Sequence, residues 1–248
     1  MVLPKSLGRR ISPLSHLTFG SHNDEYRPNI YYANITANKI KEFNIFDEIN
    51  VYTADDLIKD TSFWKQHSNF IINNRRGFGY WIWKPYLIKK KMEELNDGDI
   101  ILYLDSRIII KPDEKQYLLQ YIDIVKEKKI LYSDIHKTSE FMYNKMDLIY
   151  KLNMQNNDLI SSTYQCEANI QLIYVCKETR ELINTIYNYA CVYYNIDDTP
   201  SIIPNHPIFK DHRHDQSLFS LLIKKNNLYS NVTIDKCLYH WAAHLIRR

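Results

Sequence analysis

Asp105 lies at a position where its carboxylate could bind a ligand or take part in a reaction. It follows the apolar run Ile100–Leu104, which predicts a strand buried on both faces, so its carboxylate is expected at the end of that strand. A carboxylate held there can bind a divalent cation or accept hydrogen bonds from a sugar. The alternative is an ordinary turn aspartate, since Asp is frequent after strands. Both interpretations of Asp105 are open from its position alone.

Asp215 is the second candidate. It lies in the segment His-Arg-His-Asp-Gln-Ser, His212 to Ser217, directly before an apolar helical pattern. The structural interpretation is a helix N-cap, a position that Asp favours strongly. Two histidines and an arginine in front of it are unusual for a simple cap, and they indicate a pocket wall that faces an anion.

The segment RRGFGYWIWKPY, Arg75 to Tyr86, combines rare residue types. It holds two of the five glycines and two of the four tryptophans of the chain. Gly77 and Gly79 allow backbone conformations or close approaches that other residues disfavour. Rigid aromatic side chains stack on flat ligand faces, and cationic side chains pair with phosphate. The cationic candidates in this segment are Arg75, Arg76 and Lys84. The alternative is a packed corner in front of a helix.

His240 and His244 are four positions apart near the end of the sequence. On a helix this spacing puts both side chains on one face, as metal ligands can be. Without an accompanying acid the pair is a weak signal for a metal, and surface or core histidines are the favoured interpretation.

The elements that must position these residues alternate between strands and helices. Apolar patterns predict strands near 14–20, 47–53, 99–104, 129–134, 168–176 and 231–239. They predict helices near 31–44, 54–72, 85–95, 112–128, 177–194 and 214–226. Alternation of this kind predicts an α/β fold with a mostly parallel central sheet flanked by helices, here as one domain over residues 1–248.

Ligands of such sheets bind beyond the carboxyl ends of the strands. The segments that follow strands are therefore the first candidates for a site. They are Phe19–Ser21, Tyr52–Asp55 and Asp105–Arg107.

Composition narrows the classes of function. The 248 residues carry a net charge of only +3 with mixed signs, which argues against a nucleic-acid partner. No segment approaches the about 20 apolar residues of a transmembrane helix, and no secretory leader is expected. None of the four cysteines forms a C-x-x-C pair. We expect a cytoplasmic protein, with at most weak peripheral contact with a membrane.

Three blocks, taken in order, resemble a family of glycosyltransferase-like proteins from bacteria and large DNA viruses. The blocks are RGFGYWIWKPYLI, GDIILYLDSR and HRHDQSLFSLL. LTFGS and VYTADDL match in order and rough spacing, so the resemblance covers about residues 17–239.

The resemblance implies a GT-A-like, Rossmann-like fold and transfer of a sugar from a nucleoside diphosphate sugar to a glycan or other hydroxyl acceptor. A UDP-sugar is favoured over a GDP-sugar. Asp105 matches the first acid of a DXD-like motif that binds the donor and a divalent ion, Mn²⁺ or Mg²⁺, and His240 is the candidate for the histidine that is the usual third metal ligand in such relatives. Asp215 and Asp105 are the implied catalytic residues, with Asp215 as the general base of an inverting enzyme or the residue that orients the sugar in a retaining one. The implied donor-binding residues are Phe19, Gly20, Tyr52, Arg76, Lys84, Asp105, Ser106, Arg107, His214 and Gln216.

The sequence departs from the family where Asp-Ala-Gly is usual. Here the chain has Asp105-Ser106-Arg107, without a second acid. Arg107 either offsets diphosphate charge, because a guanidinium pairs with phosphate in bidentate fashion, or points away and leaves Ser106 in the site. Two other classes stay open: a non-catalytic nucleotide- or glycan-binding module, and an all-helical His-Asp phosphohydrolase, against which the apolar strands argue.

Overall fold

The central feature of the computed structural model is a five-stranded sheet. The structure describes residues 13–21, 29–235 and 239–241, with the backbone alone at 112, 134–137, 240 and 241. The strands are β1 (Leu14–Gly20), β2 (Glu48–Thr53), β3 (Ile100–Leu104), β4 (Ile108–Ile110), β5 (Ile130–Ser139), β6 (Tyr164–Tyr174) and β7 (Tyr239–Trp241). β4 and β7 pair separately from the other five strands.

Four of the five strands of the central sheet run in one direction. The order is β2-β1-β3-β6-β5, and β1 is parallel to both of its neighbours. β6 is antiparallel to β3 and to β5, so β5 runs with the first three strands. The predicted α/β fold with a mostly parallel sheet is confirmed.

Helices cover both faces of this sheet. They are α1 (Asn29–Glu42), α2 (Ala54–Lys59), α3 (Thr61–Asn73), α4 (Gly77–Tyr80), α5 (Trp83–Glu94), α6 (Lys115–Lys128), α7 (Glu140–Tyr143), α8 (Met146–Lys151), α9 (Asp158–Ser162), α10 (Lys177–Ala190) and α11 (His214–Lys225). The predicted helical segment 54–72 is two helices, because Asp60 caps α3 by accepting from the Phe63 N–H at 3.2 Å.

The period-two alternation of β3 divides the core into two layers. Ile101 and Tyr103 pack in the layer of α5, α10 and α11, whereas Ile100, Leu102 and Leu104 pack in the layer of α1 and α6. All five side chains are fully buried, as expected for a central strand. β3 therefore holds the residue that follows it, Asp105, on a rigid base.

One prediction about the end of the sequence was wrong in part. Residues 231–235, expected in a strand, do not form one, and the strand that the structure describes here is β7, Tyr239–Trp241. His240 lies on β7, opposite Ile109 of β4, rather than on a helix, because pairing with β4 imposes an extended backbone. His244 lies outside the described residues. Within the described part of the chain, no helix has the length and apolar character required to cross a membrane.

Candidate active site

A pocket opens beyond the carboxyl ends of β1 and β3. We call it the first pocket. It is lined by Phe19, Ser21, Asn29, Arg75, Gly77, Phe78, Trp81, Trp83, Tyr103, Asp105, Ser106 and Arg107. The segments after β1 and β3 thus meet as the parallel pairing predicts. The segment after β2, Tyr52–Asp55, does not line this pocket.

One wall of the first pocket is formed by α4 and Trp81, whose backbone is a left-handed turn rather than a right-handed helix. From Gly77 to Trp81, five consecutive residues have positive φ, between 50° and 81°. The predicted role of Gly77 and Gly79 in backbone geometry is confirmed. Phe78, Tyr80 and Trp81 share this conformation, which costs a residue with a side chain about 1–2 kcal/mol.

Close packing holds the left-handed turn in place. A Cβ atom on Gly77 would lie 2.5 Å from the Trp81 indole, and one on Gly79 would lie 2.7 Å from the Ile71 side chain. Neither position has room for the Cβ of an L residue. The turn therefore holds the Trp81 indole against the backbone at Gly77, and Phe78 lines the first pocket.

An aromatic stack forms the floor of the same pocket. The Phe19 and Trp83 rings stack with centroids 3.9 Å apart, and the Trp83 indole N–H donates to the Gly77 carbonyl at 2.9 Å. As predicted, one tryptophan packs in the core, since Trp83 is 4% exposed. Trp81 is half-buried and faces the pocket.

A second pocket adjoins the first, and the two share Trp81 and Asp105. The second pocket is lined by Arg76, Trp81, Lys84, Asp105, Glu167, Ala168, Asn169, Arg213, His214, Asp215 and Gln216. The two pockets together make one cleft, with Asp105 and Trp81 at its junction.

Lys84 joins the two candidate aspartates. Its ammonium lies 3.1 Å from Asp105 Oδ1 and 2.7 Å from Asp215 Oδ2, and it donates to the Ala168 carbonyl at 3.2 Å. Asp105 also accepts a hydrogen bond of 2.5 Å from the Tyr103 hydroxyl. Burial raises the pKa of Tyr103 well above its usual value, which keeps this phenol a donor.

Asp215 is not the N-cap of α11. The helix begins at His214 with Arg213 at the cap position, and the Asp215 carboxylate turns toward Lys84. The pKa of Asp215 is raised to about 6. Burial is the largest cause, Asp105 also raises the pKa, and Lys84 lowers it. A carboxylate with a pKa in this range can take up and release a proton near neutral pH.

Arg107 and Ser106 both line the first pocket, so Arg107 does not point away from it, and its role toward a diphosphate stays a prediction. The Arg107 Nε–H donates to Asn29 Oδ1 at 3.2 Å, and the guanidinium lies 5.3 Å above the Tyr32 ring. Arg75 is exposed and lines the same pocket.

Arg76 and the histidines belong to the second pocket and its surroundings. Arg76 pairs with Asp198 at 3.0 Å. His214 stacks on Trp81 with centroids 5.3 Å apart, and its Nδ1 lies 2.7 Å from the Ile196 carbonyl oxygen. His212 was expected in the same wall, but it is buried beside the Asn195 carbonyl and does not line the cleft.

The three remaining predicted donor-binding residues are Gly20, Tyr52 and Gln216, and their contacts are mainly with neighbouring parts of the fold. A Cβ on Gly20 would lie 2.4 Å from the Ile30 backbone, so this glycine lets α1 approach β1. Tyr52 is half-buried, packs against the core and lines neither pocket. Gln216 lines the second pocket and donates to Gln165 at 2.8 Å. Their roles in donor binding stay predictions.

The described residues around Asp105 do not fit a divalent metal ion. Its Oδ1 is already contacted by the Tyr103 hydroxyl and the Lys84 ammonium. No group of three His, Cys, Asp or Glu side chains suited to a metal occurs in the part of the chain that the structure describes. The side chain of His240, the other predicted ligand, is not described.

Sequence reasoning missed Glu167 and Asn169 in the second pocket. Ser133 contacts both: its hydroxyl donates to a Glu167 carboxylate oxygen at 2.5 Å, and its Oγ lies 3.1 Å from Asn169 Oδ1. The rule for parallel sheets selects only the carboxyl ends of strands. β6 runs the other way, so its early residues reach the same edge, where the Asp105 N–H donates to the Asn169 carbonyl at 2.8 Å. Alternating polar residues in QCEAN, 165–169, were the available signal.

No protein-family model matches the chain, and no curated protein matches its sequence. Among solved structures, a glycosyltransferase involved in glycosylation of the major capsid of PBCV-1 is similar, with 12% identity, 81% of each chain covered and a TM-score of 0.38. The galactosyltransferase LgtC, in complex with donor and acceptor sugar analogues, is 14% identical over 82% of this chain and 68% of its own, with a TM-score of 0.44. Mouse xyloside xylosyltransferase 1 is 9% identical over 90% of this chain and 85% of its own, with a TM-score of 0.44. Likeness of this degree is a partial match of architecture and carries no statement about activity.

Proposed function

We propose that the protein is a glycosyltransferase that moves a sugar from a nucleoside diphosphate sugar, with UDP favoured over GDP, to a hydroxyl group of a glycan acceptor. The observation that carries the proposal is the cleft of two adjoining pockets that meet at Asp105. One pocket offers aromatic and cationic side chains, and the other offers a buried carboxylate with a pKa near neutrality. The reaction is assigned to the cytoplasm, as expected from the sequence.

The nucleotide occupies the first pocket in this proposal. Phe19, Phe78 and Trp81 provide flat faces for a base, and such faces favour stacking. Arg75 and Arg107 meet the diphosphate, because guanidinium groups pair with phosphate oxygens in bidentate fashion. Stabilising the charge of the departing diphosphate lowers the barrier to transfer.

The acceptor enters the second pocket. There Asp215 removes the proton of the attacking hydroxyl if the enzyme inverts, and orients the donor sugar if it retains. Asp105 lies at the junction of the pockets, in reach of the sugar. No step is assigned to a metal, and the predicted Mn²⁺ or Mg²⁺ at Asp105 and His240 is tested separately below.

A panel of nucleotides tests the donor. UDP, GDP, CDP and their common sugars are added to the protein with Mn²⁺ or with a chelator, and the melting temperature is recorded. A ligand at 100 times its Kd stabilises the fold by about 2.7 kcal/mol. A selective shift with UDP or a UDP-sugar supports the donor class, and release of UDP in the presence of glycan acceptors supports transfer. A shift that needs Mn²⁺ supports the predicted metal.

Arg75→Ala locates the diphosphate. The variant should bind UDP at least tenfold more weakly than the wild type and bind uridine equally well, because the nucleoside has no phosphate. Equal losses for UDP and uridine would contradict this placement.

The second candidate is a non-catalytic nucleotide- or glycan-binding module. It is favoured by the sequence Asp105-Ser106-Arg107, which lacks a second acid. Selective binding of a nucleotide sugar without release of the nucleotide, over a wide range of acceptors, supports the module and contradicts the transferase.

A further inference from the structure

The Lys84 ammonium lies inside a set of three oxygen atoms, which we call the cage. Two are carboxylate oxygens, of Asp215 at 2.7 Å and of Asp105 at 3.1 Å, and the third is the Ala168 carbonyl oxygen at 3.2 Å. The lysine is only 4% exposed. An ammonium group has three protons, so the number of nearby oxygens equals the number of donors.

Carboxylate and carbonyl oxygens are also the ligands that hard divalent cations prefer. The three oxygens come from three separate parts of the chain: the end of β3, the start of α11 and the middle of β6. They converge on one point, which is occupied by a cation that belongs to the chain itself. Oxygen–metal distances of about 2.0–2.6 Å would require each oxygen to move inward by about 0.1–1.2 Å.

Formal charges show what Lys84 does in this cage. The two carboxylates and the ammonium sum to −1, whereas the carboxylates alone sum to −2, with Asp215 buried and Asp105 30% exposed. Bringing two like charges together is unfavourable, the more so where one of them, Asp215, is buried. The effect of Lys84 on Asp215, whose pKa it lowers against the effect of burial, agrees with this account.

We infer that Lys84 is a built-in cation that occupies a divalent-metal type of oxygen site and holds Asp105 and Asp215 together across the junction of the two pockets. Lys84 is then a positioning residue rather than a diphosphate ligand, because its ammonium is already surrounded. The positioning role rests on the proposed function, whereas the cation site does not.

Removing the lysine side chain should turn the cage into a metal site. Mn²⁺ is added to the Lys84→Ala protein, and free Mn²⁺ is measured by electron paramagnetic resonance. We expect one Mn²⁺ per chain, bound at least tenfold more tightly than by the wild type, and a melting temperature that rises with Mn²⁺. The double variant Lys84→Ala/Asp215→Asn should lose this binding.

Lys91 provides the matched control. It is also buried, at 2% exposed, and it also contacts two carboxylates, of Glu48 and Glu94. Those two side chains are 51% and 52% exposed, so they are well solvated and do not form a closed cage. Lys91→Ala should gain no stoichiometric Mn²⁺ site.

The wild type gives a second measurement, which does not require the Lys84→Ala protein to fold. Stoichiometric Mn²⁺ binding by the wild type that Asp105→Asn abolishes would overturn the inference, as would a folded Lys84→Ala protein that binds Mn²⁺ no better than the wild type. Failure of the proposed function is distinguishable: Mn²⁺ binding gained by Lys84→Ala, with no transfer by the wild type, supports the cation site and contradicts the transferase.

Discussion

Asp215 is the residue whose proton the proposed reaction depends on. Burial raises the pKa of this carboxyl to about 6, and Lys84 acts in the opposite direction. The carboxylate is therefore ionised above about pH 6 and protonated below it. A general base works only in its ionised form.

The pH dependence of transfer follows from this assignment. We expect kcat/KM to fall about tenfold per pH unit below pH 6, and Asp215→Asn to reduce transfer by about 10²–10⁴-fold. UDP affinity should change little, because Asp215 lines the second pocket and not the first. Initial rates from pH 5 to 8 and a UDP titration of the variant measure both effects. An acid limb that persists in the Asn variant would assign the titration to another group.

Among the elements, the left-handed turn has the greatest influence on the cleft. Its three residues with side chains, Phe78, Tyr80 and Trp81, together store several kcal/mol of backbone strain, at about 1–2 kcal/mol each. Strain of this kind persists only where the surroundings over-determine the conformation, and it is concentrated at functional sites. The stack of Phe19 on Trp83 and the fit of Gly79 against Ile71 are such surroundings.

Gly77→Ala tests the turn, because its Cβ would meet the Trp81 indole at 2.5 Å. We expect a loss of about 1–3 kcal/mol of stability and at least tenfold weaker UDP binding, since Trp81 must move out of the pocket wall. Urea unfolding and a UDP titration measure the two effects.

Gly98→Ala is the matched control. Gly98 also has positive φ, at 102°, but its Cβ would meet only the Tyr174 hydroxyl at 3.8 Å. This variant should lose stability through backbone strain and keep its UDP affinity. Equal effects of the two substitutions on UDP binding would remove the link between the turn and the pocket.

Periodicity predicted the strands and helices of the sheet because burial imposes periods of two and about 3.6 on the sequence. The periodicity of the sequence could not predict the left-handed turn. Its glycines signalled an unusual backbone, but positive φ at Phe78 and Tyr80 is a conformation that their residue types disfavour, so the sequence did not indicate it. The direction of β6 was also hidden, because an apolar run does not indicate which way a strand enters a sheet. Glu167 and Asn169 were therefore missed, whereas Asp105 and Asp215 were found.

For the whole molecule, acid sensitivity follows from buried histidines. His16 on β1 and His212 are at most 4% exposed, and burial lowers the pKa of each to about 3. In the unfolded chain these side chains take up protons near pH 6.5. Their contribution to stability is present above that pH and is lost as pH falls toward 3. Asp215, whose pKa is raised, acts in the opposite direction over its own range.

His16→Leu tests this account. From pH 6.5 to pH 5 a single histidine of this kind costs about 2 kcal/mol of unfolding free energy. Urea unfolding at several pH values should show that the variant loses about 2 kcal/mol less than the wild type over this interval. Above pH 7.5 the two proteins should have the same pH dependence, which serves as the control. Parallel curves down to pH 5 would show that His16 is protonated in the folded protein.

The turn at Gly77–Trp81 has a further consequence, which concerns chirality. Positive φ is the ordinary conformation of a D-amino acid. This wall of the cleft therefore consists of L residues in a backbone conformation that their chirality disfavours. A D-alanine at Gly79, introduced by chemical ligation, would find φ of 81° relaxed and would restrict the unfolded chain. The same mirror-image logic explains why two of only five glycines stand here: glycine is the one achiral residue that the genetic code can supply.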